Sequence, residues 1–231
     1  MLWALTVGAA VAEDTGQPIV GEDVVFEEVD GVVAVEAEHF YKQTLNKVRS
    51  WNLFTPKQQP KVDPDADPPH LADAAGRAYV EILPDTRRNH GEKLINGQNF
   101  INQPGKMAVL HYKVHFNTPG KYYVWARIFS TGTEDNGMHV GIDGTWPATG
   151  QRMQWTGKQK CVWGSKQRTE KQHGGEQYKL YLIVEKPGEH EITFSMREDG
   201  TEFDKWMMTQ EKKSAVNGQG PAPRVKQGKL P

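Results

Sequence analysis

The 231-residue sequence predicts an all-β domain built as a sandwich of antiparallel sheets. Three observations predict it. From Val24 onward the apolar runs are short and are broken by turn residues at spacings typical of a sandwich. The composition, with 23 Gly, 14 Pro, 7 Trp and 7 Tyr, favours turns and short aromatic strands over long helices. In Met107 to Phe116, residues Ala108, Leu110, Tyr112, Val114 and Phe116 fall on one face and His111, Lys113 and His115 on the other, the period of a half-exposed strand.

Taken in order, the chain begins with the apolar run Leu2 to Ala12, too short to span a bilayer and ending in Ala10-Val11-Ala12 before Glu13-Asp14. Residues 1–12 read as a signal peptide, although no Lys or Arg precedes the run, and place the protein outside the cytoplasm, secreted or periplasmic; a buried strand or helix is the other reading. Strands are expected at Val32 to Glu38, Ala78 to Leu83, Met107 to Phe116, Lys121 to Phe129, Met138 to Asp143, Tyr178 to Val184, His190 to Met196 and Phe203 to Thr209. The turn Asn117-Thr118-Pro119-Gly120 is expected to join two of these as a hairpin, with Glu185 to Glu189 closing a second. Lys121 to Phe129 is apolar on both faces and so belongs in the middle of a sheet. Thr55 to His70 carries five prolines and reads as a long exposed loop, part of an insertion over Trp51 to about Pro104. The domain is expected over 24–210, followed by a Gly/Pro/Lys-rich tail or linker at 211–231.

Three segments resemble carbohydrate-binding modules of the family 6 and family 35 type: Val35-Glu36-Ala37-Glu38-His39-Phe40; Gly120 to Arg127 with Val140 to Gly144; and Pro187 to Ile192 with Asp204-Lys205-Trp206. Their order and spacing match over roughly residues 30 to 210. The resemblance implies a galactose-binding-like jelly roll that binds glycans non-catalytically, targets an associated glycoside hydrolase or lyase, and holds a structural calcium. Glu36 and Glu38, two apart on a strand, send their carboxylates from one face about 7 Å apart. A hard cation turns that repulsion into coordination, and the resemblance supplies Asp204 as the third ligand. Two solvated glutamates on an edge strand are the simpler alternative.

Glycan recognition needs flat aromatic faces with amides, carboxylates or guanidinium groups around them, held on loops of a rigid scaffold. The candidates are Arg87, Glu134, Asn136, Trp155, Trp163, Arg168, Asp199 and Glu202. Trp125 and Trp206 lie inside apolar strands and read as core, whereas the sequence does not decide between platform and core for Trp155 and Trp163. Arg152, Lys158, Lys160, Lys166, Arg168 and Lys171 face only Glu170 in charge within one stretch. That stretch suits an anionic or sulfated polysaccharide as partner, since guanidinium groups fork onto oxyanions; an ordinary solvated loop fits it equally.

With 28 basic against 29 acidic residues, nothing indicates nucleic acid. No segment other than the leader approaches a membrane span, and a monomer is expected. The single cysteine, Cys161, excludes an internal disulfide and has no general base near it in sequence. Glu134 with Glu198 or Glu202 can be cast as a glycosidase pair, but no zinc-hydrolase helix, nucleophile elbow or phosphate loop is present. The rival functions are a jelly-roll polysaccharide-degrading enzyme and a secreted structural or adhesion domain.

Overall fold

The computed structural model describes residues 19–65 and 67–231; the expected leader at 1–12 lies outside them. The first eight strands are β1 (Val25–Glu27), β2 (Val32–Glu36), β3 (Lys42–Thr44), β4 (Ser50–Phe54), β5 (Tyr79–Leu83), β6 (Val109–Phe116), β7 (Gly120–Phe129) and β8 (Gly137–Ile142). The remainder are β9 (Met153–Gln154), β10 (Val162–Gly164), β11 (Lys166–Gln167), β12 (Glu176–Gln177), β13 (Tyr181–Val184), β14 (Gly188–Met196), β15 (Glu202–Thr209) and β16 (Val225–Gln227). All eight expected strands are present, within three residues at each end.

They form a two-sheet jelly-roll sandwich. The first sheet runs β12-β11-β9-β8-β14-β6-β1-β16 with β3 also on β6; the second runs β10-β7-β15-β5-β4, with β13 on β7 and β2 on β15. Pairing is antiparallel apart from the parallel β1–β6 contact. Between the sheets lie Leu110, Tyr112, Val114 and Phe116 of β6 and Ile192, Phe194 and Met196 of β14, facing Tyr122, Val124, Ala126 and Ile128 of β7 and Phe203, Trp206 and Met208 of β15. The alternation in β6 therefore reads as expected, with His111, Lys113 and His115 half-buried on its outer side.

Both expected hairpins are corrected. β6 lies in the first sheet and β7 in the second, and β13 and β14 are likewise split. The two turns carry the chain from one layer to the other, which is what a jelly roll requires of consecutive strands. Gly120 and Gly188 begin the strands after these crossings with φ of +142° and +132°, a region that residues with a Cβ rarely adopt.

The segment from 211 on is also corrected, because it is not a free tail. β16 pairs with β1, placing Val225 opposite Phe26, while Val225 and Leu230 pack against the core. The chain between β15 and β16 crosses the outer face of the second sheet, and the Trp163 indole donates to the Gly218 carbonyl at 3.0 Å. The insertion covers the other part of that face: Leu71 and Ala74 pack on Phe54, Tyr79 and Leu83. Deleting 211–231 should therefore lower the melting temperature by several degrees, because it uncovers apolar sheet and leaves β1 an open edge. A truncated chain melting like the full one, measured by circular dichroism, would refute this packing.

Candidate functional site

Strand register arranges the outer face of the second sheet in four rows. The first holds Asn52, Glu81, Glu202 and Phe129 from β4, β5, β15 and β7. Glu36, Lys205, Arg127 and Trp163 form the second, Ala34, Met207 and Trp125 the third, and Val32, Thr209 and Tyr123 the fourth. The register slips between Phe203 and Lys205, so Asp204 is the extra residue of a bulge. That slip turns both Phe203 and Trp206 inward, where strict alternation would separate them.

The bulge decides the fate of the expected calcium ligands. Lys205 donates to Glu36 Oε1 at 2.7 Å, and Asp204 accepts from the Arg127 guanidinium and from the Ala75 N–H. Two side-chain cations thus stand where the resemblance implies a metal. Among the described residues Glu36, Glu38 and Asp204 are not a set whose ligand atoms come within 4.8 Å of one another. A calcium bound jointly by these three does not fit the arrangement. Glu38 Oε2 and Glu36 Oε2 are buried without a hydrogen-bond partner. Burial, with Glu36 and Asp204 nearby, pushes the Glu38 carboxyl up to about 8.

The predicted loops do converge at one end of the sandwich, but most of their polar groups are engaged with each other, Asp199 Oδ1, Gln154 Oε1 and Arg197 Nε being left without a partner. Arg87 pairs with Glu134, which also contacts His90 Nδ1 at 2.6 Å. Asp199 Oδ2 accepts from Arg49 Nη2 at 3.0 Å and from the Thr86 N–H and hydroxyl at 3.0 and 2.8 Å. Asn136 accepts from Gln154 and donates its backbone N–H to Glu198 at 3.2 Å, and Glu198 pairs with Arg197. Arg87, Glu134, Asn136, Asp199 and Glu202 are all buried, so they form no open polar cleft. Glu202 belongs instead to the first row, accepting from His70 Nδ1 at 2.7 Å, and burial raises its carboxyl to about 7. Arg168 is half-buried beyond β11, its N–H on the Arg152 carbonyl at 2.8 Å.

The tryptophans separate cleanly. Trp155 is corrected as a binding residue: it is 3% exposed in the main core and donates to the Ala126 carbonyl at 3.0 Å. Trp206 is core, as expected. Trp125 is buried too, yet on the outer face, in a cluster with Ala34, Met207 and Trp163 beneath Val216. It lines a groove of about 620 Å³ with Arg127, Cys161, Trp163, Lys166 and Gln177. The strap at Ala215 and Val216 separates this groove from a second, of about 450 Å³, over Val32, Ala34 and Met207. The Trp125 indole N–H is buried with no acceptor. Period-two reading of Tyr123, Trp125 and Arg127 against Tyr122, Val124 and Ala126 carries the signal for this face. Burial and the nearby Asp204 raise the Cys161 thiol to about 12, away from the thiolate form that reacts as a nucleophile.

Burial also fixes how stability responds to pH. His39 and His139 are held neutral, down at about 4 and about 3, by burial. Their lowered values make stability fall as pH drops below about 6.5. Glu38 and Asp85 are raised, to about 8 and about 7, first by burial. The stability that their protonated forms contribute below about pH 4.5 is lost as pH rises towards those values. Above about pH 6.5 these histidines no longer oppose the carboxyls, so the melting temperature should fall from pH 6.5 to 8. Glu38→Gln should flatten the limb above pH 7; a wild-type curve rising through that window in scanning calorimetry would contradict the assignment.

Comparison with known proteins places this geometry in a family. The chain is 49% identical over its whole length to an uncharacterised protein of Formosa agariphila and spans 57% of that relative's length. Among solved structures, it is 12% identical to a β-(1,4)-mannanase of Podospora anserina carrying a family 35 carbohydrate-binding module, with 82% of this chain and 30% of that one covered at a TM-score of 0.46. A family 35 carbohydrate-binding module from Clostridium thermocellum is also 12% identical, with 77% and 96% covered at 0.36. The family model of the glycosyl hydrolase family 115 C-terminal domain matches residues 69–221, from the insertion's second half through β5 to β15 and into the strap. The chain belongs to the glycosyl hydrolase family 115 C-terminal domain family.

Proposed function

We propose that the chain is a non-catalytic glycan-binding module of a secreted polysaccharide-degrading system, and that it binds its polysaccharide in the groove on the outer face of the second sheet. The observation that carries the reading is the Trp125 indole N–H, a buried donor without an acceptor in the wall of a groove that Trp163 also lines. Buried donors are almost always satisfied. A sugar hydroxyl supplies the acceptor, while an aromatic face meets the apolar C–H face of the ring. The amide of Gln177 and the ammonium group of Lys166 border the same space.

Lys166 also supports the finer proposal that the polysaccharide is anionic, bearing uronate or sulfate groups. It lines the groove, whereas Arg127 is already paired with Asp204. Family membership supports association with a glycoside hydrolase. The non-catalytic reading is supported by the carboxylates themselves: Glu134 and Glu198 are engaged with Arg87 and Arg197, not poised across a cleft.

Titration against a polysaccharide panel tests the site. Trp125→Phe keeps the apolar face but removes the donor, and Trp163→Ala removes the platform; each should weaken binding severalfold, since such contacts are worth on the order of 1 kcal/mol. The melting temperature should change by only a few degrees. Trp155→Ala, by contrast, should cost about 3 to 5 kcal/mol of stability. Affinity for an anionic glycan should decline as salt rises, and Lys166→Gln should reduce that slope. Unaltered affinity in both the Trp125 and Trp163 variants would move the site elsewhere, and steady release of oligosaccharide by pure wild type would overturn the non-catalytic reading.

A further inference from the structure

The first row of the outer face, where the proline-rich insertion folds over β5 and β15, holds a second cluster of carboxylates. Ligand atoms of Asp65, Asp67 and Glu81 lie within 4.8 Å of one another, and so do those of Asp67, His70 and Glu202. Asp67 belongs to both sets, and Glu81 and Glu202 stand opposite each other on β5 and β15, so the two sets adjoin. In the neighbouring row each carboxylate has a cation of its own, Lys205 for Glu36 and Arg127 for Asp204. Here, among the described residues, no Lys or Arg forms an ion pair with any of the four carboxylates, and His70 is the one basic group on them.

Unpartnered oxygens point the same way. Glu81 is 3% exposed and accepts no hydrogen bond from any described residue, though its carboxylate is aimed at Asp65 and Asp67. Asp65 Oδ1 is buried without a partner. Asn52 stands opposite Glu81 on the same face of the sheet and is fully buried. Its Nδ2 donates to the Ser50 carbonyl at 2.8 Å, which leaves the amide Oδ1 with no donor. Asp67 accepts from the Thr131 hydroxyl and Glu202 from His70; the other oxygens of these four half-buried to buried carboxylates, with a buried amide oxygen that has no donor, match the ligand preference of a hard divalent cation, which takes several oxygens at once. A single imidazole and no nearby thiolate make a poor match for zinc. His70 is occupied in any case: its Nδ1 holds Glu202 at 2.7 Å, and its ring stacks on Phe129 with centroids 3.6 Å apart.

We propose that Asp65, Asp67, Glu81 and Glu202, together with Asn52 Oδ1, form a binding site for a hard divalent cation of the calcium class. The cation joins the insertion, through Asp65 and Asp67, to β5 and β15, and so fixes the loop that covers this end of the sheet. The site is separate from Glu36, Glu38 and Asp204, and it does not depend on the glycan reading.

The test uses the full chain, dialysed against a chelator and then titrated with calcium chloride. Calorimetry should show binding, and the melting temperature should rise by about 5–10 °C at a hundredfold excess over Kd. Glu81→Gln and Asp67→Asn each keep the side-chain volume while removing a ligand charge and a crowding repulsion, so both should fold and both should lose at least tenfold in calcium affinity. Terbium added in place of calcium should luminesce on excitation of Tyr79, whose hydroxyl accepts from the His70 N–H at 3.3 Å, and this signal should vanish in the same variants. Glu38→Gln should retain the full response. The proposal is overturned if wild type shows neither heat nor thermal shift with calcium, magnesium or manganese, if the Glu81 and Asp67 variants bind as wild type does, or if Glu38→Gln is the variant that loses the response.

Discussion

The rest of the structure depends on one constraint: the second sheet is buried on both of its faces. Tyr122, Val124, Ala126 and Ile128 of β7 fill the space between the sheets, while Trp125 on the same strand lies in a second apolar cluster outside it. A sandwich normally leaves each outer face to water. This one cannot, and two segments outside the regular strands supply the cover. The insertion lays Leu71 and Ala74 over β4 and β5, and the strap ahead of β16 lays Val216 over Trp125 and Met207. Where the two covers fail to meet over β7 and β10, the groove opens.

Covering a sheet face desolvates whatever charge that face carries, and an unpaired buried charge is costly. The second row answers with cross-strand pairs set directly by register: Lys205 opposite Glu36, and Arg127 opposite Lys205 and bonded to the bulged Asp204. One inserted residue therefore does two things. It brings Phe203 and Trp206 to the same side, and it places an acid where Arg127 needs one. The ion pairs are a consequence of the cover, and they account for the misfit with the metal ligands that the Glu-Ala-Glu segment suggests.

Most of the fold was legible because it is written at period two. The alternation in β6 and the apolar density of β7 are local properties, and both survive into the structure. What was not legible is which sheet each strand joins. Asn117 to Gly120 is an ordinary turn in sequence, and the same four residues serve a hairpin or a crossing between layers; only the partners of β6 and β7, far away in the chain, decide. The segment 211–231 resembles a tail in sequence because its apolar content is sparse: Val216, Val225 and Leu230 are too widely spaced to show a period, yet each lands on an apolar surface already made by other strands. The site was less legible than the fold. Trp155 and Trp163 lie in one basic stretch with nothing local to separate them, but one is buried between the sheets and the other lines the groove.

Polar composition in the loops was a poor guide to binding for a related reason. Arg87, Glu134, Asn136 and Asp199 are the residue types that hydrogen-bond sugars, and the fold does gather them at one end. Each of them, once gathered, finds a donor or acceptor on a neighbouring loop and is removed from solvent. A ligand entering there has to break charge-assisted hydrogen bonds inside the protein before making its own, and the exchange yields little. An unpartnered donor in a groove wall presents the opposite case, because its desolvation has already been incurred in folding and a ligand acceptor recovers it. The core Trp206 indole N–H is unpartnered as well, so it is an unsatisfied group that also lines open space, as Trp125 does, that is free to recognise something else.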